Sequence, residues 1–179
     1  MSWNPSVEDT VCAWGEKAAG LRWMHEYQER RMKLWGNTLA MWSLSLTMLG
    51  STLSLGFAQY EPAQIWAMYS VGVLGMLASL IQSVKHYYNI DYVASEHAMA
   101  SKKFGAFYRF ISNQLGIEAS ERRSFKEVQD WALMGFEQAQ QDAPIIDNHT
   151  ICAFRKKYAD IETWPDIASK SFEIVITGR

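Results

Sequence analysis

From Leu34 to Tyr60 the chain carries no Asp, Glu, Lys or Arg, and after Glu61 a second charge-free run extends from Pro62 to Val84. The runs are 27 and 23 residues long. At ~1.5 Å of rise per helical residue, each is long enough to cross a hydrocarbon core of ~30 Å. The competing explanation is a soluble helical hairpin with an unusually apolar core, because Asn37, Gln82 and several hydroxyls dilute both runs. Two adjacent runs of spanning length outweigh that dilution, and they predict spans at about 34–58 and 63–84. Lys33 and Lys85 bound the pair at one end, with Trp35 and Tyr87–Tyr88 as interfacial aromatics; Tyr60, Pro62 and Trp66 stand near the turn.

The flanking pattern is helical as well. A first helix starts near Ser6 or Glu8 and meets no proline before about Ala58. A second starts after Pro62, a good first-turn residue, and runs to about Leu115, where Gly116 can end it. Ser124-Phe125-Lys126-Glu127 has the spacing of a capping box, and Phe125, Val128, Ala132, Phe136 and Ala139 recur on one face of a helix over 124–141. A short fourth helix over 148–160, opened by Asp147, aligns Ile151, Phe154, Tyr158 and Ile161. The expected fold is all-α: a membrane protein with a long antiparallel two-helix transmembrane hairpin, cytoplasmic helical extensions and two shorter helices. Residues 1–158 form its helical domain and 159–179 a C-terminal tail. Phe172–Thr177 is strand-like in composition and isolated, so it either contacts another protein or hangs free.

Composition narrows the function. The 179 residues carry 17 basic and 19 acidic side chains, a net charge of -2 that argues against a nucleic-acid partner. A hydrophobic content of 49% excludes a disordered chain. Arg30, Arg31 and Lys33 precede the first span, Lys85, Lys102 and Lys103 follow the second, and the turn has no basic residue. Both termini are therefore expected on the cytoplasmic side. The N-terminus lacks the basic and apolar regions of a signal peptide. Cys12 and Cys152 then face a reducing compartment, and Asn148-His149-Thr150 escapes glycosylation.

One face of the first span reads Gly36, Ala40, Ser43, Thr47, Gly50 and Ser54. A register that sets Ser43 opposite Ser79 and Gly50 opposite Gly72 brings it against Gln82, Ser79, Gly75 and Gly72. Small residues allow the close approach by which membrane helices associate. The seam thus holds the hairpin together, or Asn37, Ser43, Thr47 and Gln82 line a lumen in an oligomer. With no charge in either span, such a pore lacks a proton relay or charged selectivity ring. The same register brings His25 level with Glu96-His97, as a structural hydrogen-bond network or a pH-sensitive contact.

Nothing in the sequence calls for catalysis or a cofactor. Glu-x-x-His pairs, His-x-x-x-His, Cys-x-x-Cys, Gly-x-Ser-x-Gly and phosphate-binding glycine loops are all missing. Arg122-Arg123, Lys102-Lys103 and Arg155-Lys156-Lys157 read as solvated faces or headgroup contacts.

Several segments resemble a known family. Trp14-Gly15-Glu16-Lys17-Ala18 and Leu21-Arg22-Trp23-Met24-His25 precede the first span, and Glu96-His97 and Phe107-Tyr108-Arg109-Phe110-Ile111 follow the second. Together with Ala143-Pro144-Ile145-Ile146 and Phe154-Arg155-Lys156-Lys157-Tyr158, they resemble the SLATT group of two-transmembrane proteins, particularly versions encoded by large DNA viruses of algae and protists. The resemblance covers roughly Val11 to Tyr158, with Trp23, His25, Glu96 and His97 as its motif residues. It implies a non-enzymatic, pore-forming membrane effector that works as a homo-oligomer in the lipid bilayer. The alternative is a structural membrane anchor or scaffold, of a virion or an infected-cell membrane, that meets a protein partner through the C-terminal tail.

Overall fold

The computed structural model describes residues 3–57, 61–160 and 165–169. Five α-helices follow in order: α1 Pro5–Phe57, α2 Glu61–Tyr87, α3 Ile90–Gly116, α4 Phe125–Gln141 and α5 Asn148–Lys157, then a 3-10 turn at Asp166–Ala168. There is no strand among the described residues. The strand-like segment 172–177 and Ile161 lie outside them. Contacts divide the chain into two compact units, Met1–Glu29 with Ser95–Arg179 and Arg30–Ala94, so α1 and α3 each contribute to both.

The expected helix from Pro62 to Leu115 is two helices. Tyr88 and Asn89 form a turn, and Asn89 has a φ of 46°. Asparagine enters this left-handed region more readily than other side chains. Its N–H donates to the His86 carbonyl at 3.0 Å, and its own carbonyl accepts from Val93 N–H at 3.0 Å, so one residue closes α2 and opens α3. Lys85 and Asp91 form an ion pair across the break at 2.9 Å. No proline or glycine marks this position, and the apolar pattern runs straight through it.

In the first unit the core gathers Val11, Leu21 and Met24 of α1, Phe104, Phe107 and Ile111 of α3, Val128 and Ala132 of α4, and Phe154 of α5. Phe107 stacks on Trp131 and meets Phe136 at a tilt, joining α3 to α4 through aromatic contacts. Ser124 caps α4 by accepting from Glu127 N–H at 3.4 Å, and Phe125, Val128, Ala132 and Ala139 form its buried face. The α5 helix is shorter than 148–160 and buries Thr150 with Phe154. The Thr150 hydroxyl donates to Gln28 Oε1 at 2.8 Å, and Asp147 N–H donates to the same oxygen at 3.2 Å. Part of the segment taken as tail belongs to this unit: Pro165 and Ala168 are buried, and Arg155 donates to the Ala168 and Ser169 carbonyls.

Arg122 has a structural role instead of a solvated one. Its guanidinium donates to the Leu115 carbonyl in the last turn of α3 and to the Ile117 carbonyl just past it, and pairs with Glu8 at 2.6 Å. Those carbonyls have no helical partner, and a cation satisfies them well at a helix C-terminus.

The second unit is built differently. Two helical stretches, within Pro5–Phe57 and within Gln64–Gly116, are long and apolar enough to cross a membrane, and only 11% and 6% of their most apolar windows are buried. A core helix of a soluble protein would be mostly covered. Here Trp42, Leu55, Trp66, Met76 and Leu80 are all more than half exposed.

Truncating a core residue of the first unit tests this division. Phe104→Ala, at a site 1% exposed, is expected to cost that unit roughly 3–5 kcal/mol. Lys126→Ala on the exposed side of α4 is expected to change stability by less than about 0.5 kcal/mol. Thermal unfolding in a mild detergent, followed by circular dichroism, checks both.

Candidate functional site

The small residues of α1 are used within the chain. Gly36, Ser43 and Gly50, each seven residues from the next, are the buried positions of α1 between residues 30 and 57. A seven-residue interval keeps one stripe of a helix against a neighbour. The Ser43 hydroxyl donates to the Ala78 carbonyl at 3.2 Å, and a Cβ on Gly50 would lie 3.8 Å from Leu74 Cβ. A Cβ on Gly36 would come within 3.1 Å of Asp91 Oδ1 and 3.3 Å of Ile90 Cγ2, so glycine is what permits that approach.

Against this stripe α2 presents Leu74 and Ala78; Ala67 and Ala78 are the buried positions among the described side chains of α2. Gly72, Gly75, Ser79 and Gln82 are exposed, and nothing lies within 4 Å of where a Cβ on Gly72 or Gly75 would stand. The face of α2 turned to α1 therefore differs by one position from the expected register, a rotation of about 100° for a helix. Larger side chains, Leu74 and Ile81, are half-buried where glycine and glutamine were expected. Asn37 and Thr47 are exposed on α1.

Most hydroxyls in the charge-free runs are satisfied locally. Thr38, Ser45, Thr47, Ser51, Thr52, Ser70 and Ser83 each donate to the carbonyl four residues earlier, at 2.8–3.0 Å. Such a bond hides a hydroxyl from an apolar solvent without any partner helix. The amides of Asn37 and Gln82 have no comparable bond among the described residues.

In the first unit the structure joins His25 to His97. Their Nδ1 atoms are 2.8 Å apart, and both residues are 1% exposed. One Nδ1–H donates and the other Nδ1 accepts, which two neutral imidazoles in complementary tautomers can do. The His25 ring also stacks on Phe104 at 5.6 Å. Burial, and then repulsion from His97, lower the His25 pKa from 6.5 to about 4. Burial also lowers His97, against opposing pulls from Asp147, Glu96 and Glu29. Glu96 is half-buried and acts on His97 through its charge. Among the described residues no group of three His, Cys, Asp or Glu side chains converges as a metal site.

Two features escaped sequence reasoning. Gln28 is 3% exposed and ties α1 to the start of α5, but a lone glutamine in a helix gives no signal of its partner. Trp23, Tyr108, Phe154 and Tyr158 gather around one cavity from three helices, and only the three-dimensional arrangement reveals it.

The histidine pair predicts a pH dependence of stability. Its folded form is neutral, whereas an unfolded histidine gains a proton below about pH 6.5. Stability is therefore full above that pH and falls as the pH drops toward 4, by ~3 kcal/mol from His25 alone. Replacing both histidines by leucine is expected to flatten this component of a pH-resolved unfolding series. His25→Ala and His97→Ala are expected to cost about 1–3 kcal/mol each at pH 7 and to be non-additive when combined, and simple additivity would contradict the bond.

No family model, curated protein or solved structure matches the chain.

Proposed function

We propose that the chain is an integral membrane protein whose two spans, residues 34–58 and 63–84, form an antiparallel hairpin. Copies of that hairpin assemble into a homo-oligomer with a channel-like path. The observation that carries the proposal is the division of small residues: Gly36, Ser43 and Gly50 are occupied within the chain, while Gly72, Gly75 and Ser79 remain open on α2 beside Gln82. An open small-residue face is where a second helix can approach closely without a hydrophobic drive. Two spans enclose no conduit alone, so passage of ions requires several copies around an axis. Asn37 and Gln82, whose amides lack an internal bond, line that path near one end. The distribution of Lys and Arg supports cytoplasmic termini. The resemblance to the SLATT group points to the same class of pore-forming, non-enzymatic membrane effector.

A structural anchor is the second reading. Leu133, Met134 and Ile145 give the first unit apolar surface outside the spans, with exposures of 48%, 73% and 90%. Surface of this kind suits a protein partner.

Cross-linking and flux distinguish the two. Cys12 and Cys152 are free and exposed, so both are first replaced by serine. Gly75→Cys in liposomes is expected to give covalent dimers between chains, and Gly50→Cys to give none. Asn37→Leu with Gln82→Leu is expected to insert normally and to reduce ion flux several-fold. Unchanged flux would remove these amides from the path. Sealed vesicles and a lack of Gly75 cross-links would favour the anchor.

A further inference from the structure

We infer that the first unit binds a small apolar alcohol, in a cavity of about 230 Å³ whose wall holds His25 together with Leu21, Phe104, Phe136, Ile146 and Pro165. His25 is 1% exposed, and its Nδ1 is taken up by His97 at 2.8 Å. Its Nε2 has no hydrogen-bond partner among the described residues. Yet no fully buried side-chain nitrogen or oxygen among those residues lacks a partner, so Nε2 is not sealed into the core. The cavity is the open space that His25 borders. Apart from His25, the wall residues just named bring only apolar side chains to it. An unpaired nitrogen in such surroundings costs free energy, which a polar group on a ligand would recover.

The histidine pair dictates what that polar group is. Where two neutral imidazoles meet through Nδ1, the donor ring has a bare Nε2 that accepts, and the acceptor ring has an Nε2–H that donates. Either role is open to His25 Nε2, and a hydroxyl, which both donates and accepts, satisfies both. Burial, and then repulsion from His97, hold His25 neutral at pH 7, so it calls for no anion. Lys17, the one cation in the wall, is already paired with Asp166 at 2.9 Å. A carboxylate would therefore enter without a free counter-charge, and an ammonium would lose hydrogen bonds to water that apolar walls cannot replace. A buried water needs two to four polar partners, whereas one nitrogen among apolar side chains suits a molecule with an apolar body. An apolar cavity of ~150 Å³ holds benzene, so this one has room for roughly eight to ten carbons. Ile145 and Ile167 of the wall are exposed, which gives the ligand an entrance. The site lies within the first unit and stands independently of any pore.

The test is nitrogen NMR of the full chain, isotope-labelled at histidine, in a maltoside detergent. Four histidines keep the spectrum sparse, and the stacking of the His25 ring on Phe104 assigns its resonances. The probe is 2-phenylethanol, and its control is propylbenzene, in which a methyl replaces the hydroxyl. Both are compared at equal mole fraction in the micelle, so that their different costs of leaving water cancel. The alcohol is expected to shift the His25 Nε2 resonance saturably and to bind at least about fivefold more tightly than the hydrocarbon. Ala143→Leu, which fills the cavity from a half-buried wall position, is expected to weaken the alcohol several-fold while the Nδ1 resonances of the histidine pair stay put. Should that variant fail to fold, the two ligands on the unaltered chain still decide. Equal binding of alcohol and hydrocarbon, a His25 Nε2 resonance that does not move, no saturable binding up to about 10 mM, or undiminished binding by folded Ala143→Leu would each overturn the site.

Discussion

Everything in the second unit follows from one constraint: its apolar side chains have too little of their own chain to bury against. Two helices in contact cover one stripe on each, and Gly36, Ser43 and Gly50 with Ala67 and Ala78 use up that stripe. Trp42, Leu55, Trp66 and Leu80 are left outside. In water, about 25 cal/mol for each Å² of exposed apolar surface would count against this arrangement. In hydrocarbon the same surface carries no such cost. The helical backbone and the hydroxyls bonded one turn back then satisfy the polar groups that lipid cannot. Two long apolar helices with so little of their surface covered are consistent with a membrane protein.

The first unit works by the opposite rule. Its core is aromatic and shared among four helices, and its polar side chains are specific where those of the second unit are sparse. The His25–His97 bond, the bridge from Gln28 to Thr150 and the pairing of Arg122 with Glu8 each join segments distant in sequence. Buried bonds of this kind discriminate between registers, because a slip of one residue leaves each group unsatisfied. The stripe between α1 and α2, made of small contacts, discriminates less.

How much of this was legible in the sequence depended on the kind of signal. The absence of charge from Leu34 to Val84, Glu61 apart, marked the apolar helices, because no tertiary contact is needed to read it. Ser124 and Asp147 marked the starts of α4 and α5, because a cap is a local bond. The rotation of α2 was not legible, because Ala78 and Ser79 are both small and the pattern alone does not choose between their faces; half-buried Leu74 and Ile81 do. The break at Asn89 was hidden because asparagine adopts a left-handed turn without announcing it as glycine would. The aromatic cavity was hidden for another reason, since Trp23, Tyr108 and Tyr158 are far apart in sequence and each passes for an ordinary core residue.

The central claim is that residues 34–84 sit in lipid, and spin-label accessibility along that segment tests it most directly. Single labels from Arg30 to Asp91, in protein reconstituted into liposomes, would be read against oxygen, which partitions into hydrocarbon, and a nickel chelate, which stays in water. The account predicts high oxygen and low nickel access at Trp42, Met48, Met76 and Leu80, with the order reversed at Arg30 and Asp91. Nickel access at Met48 and Met76 equal to that at Arg30 would contradict it.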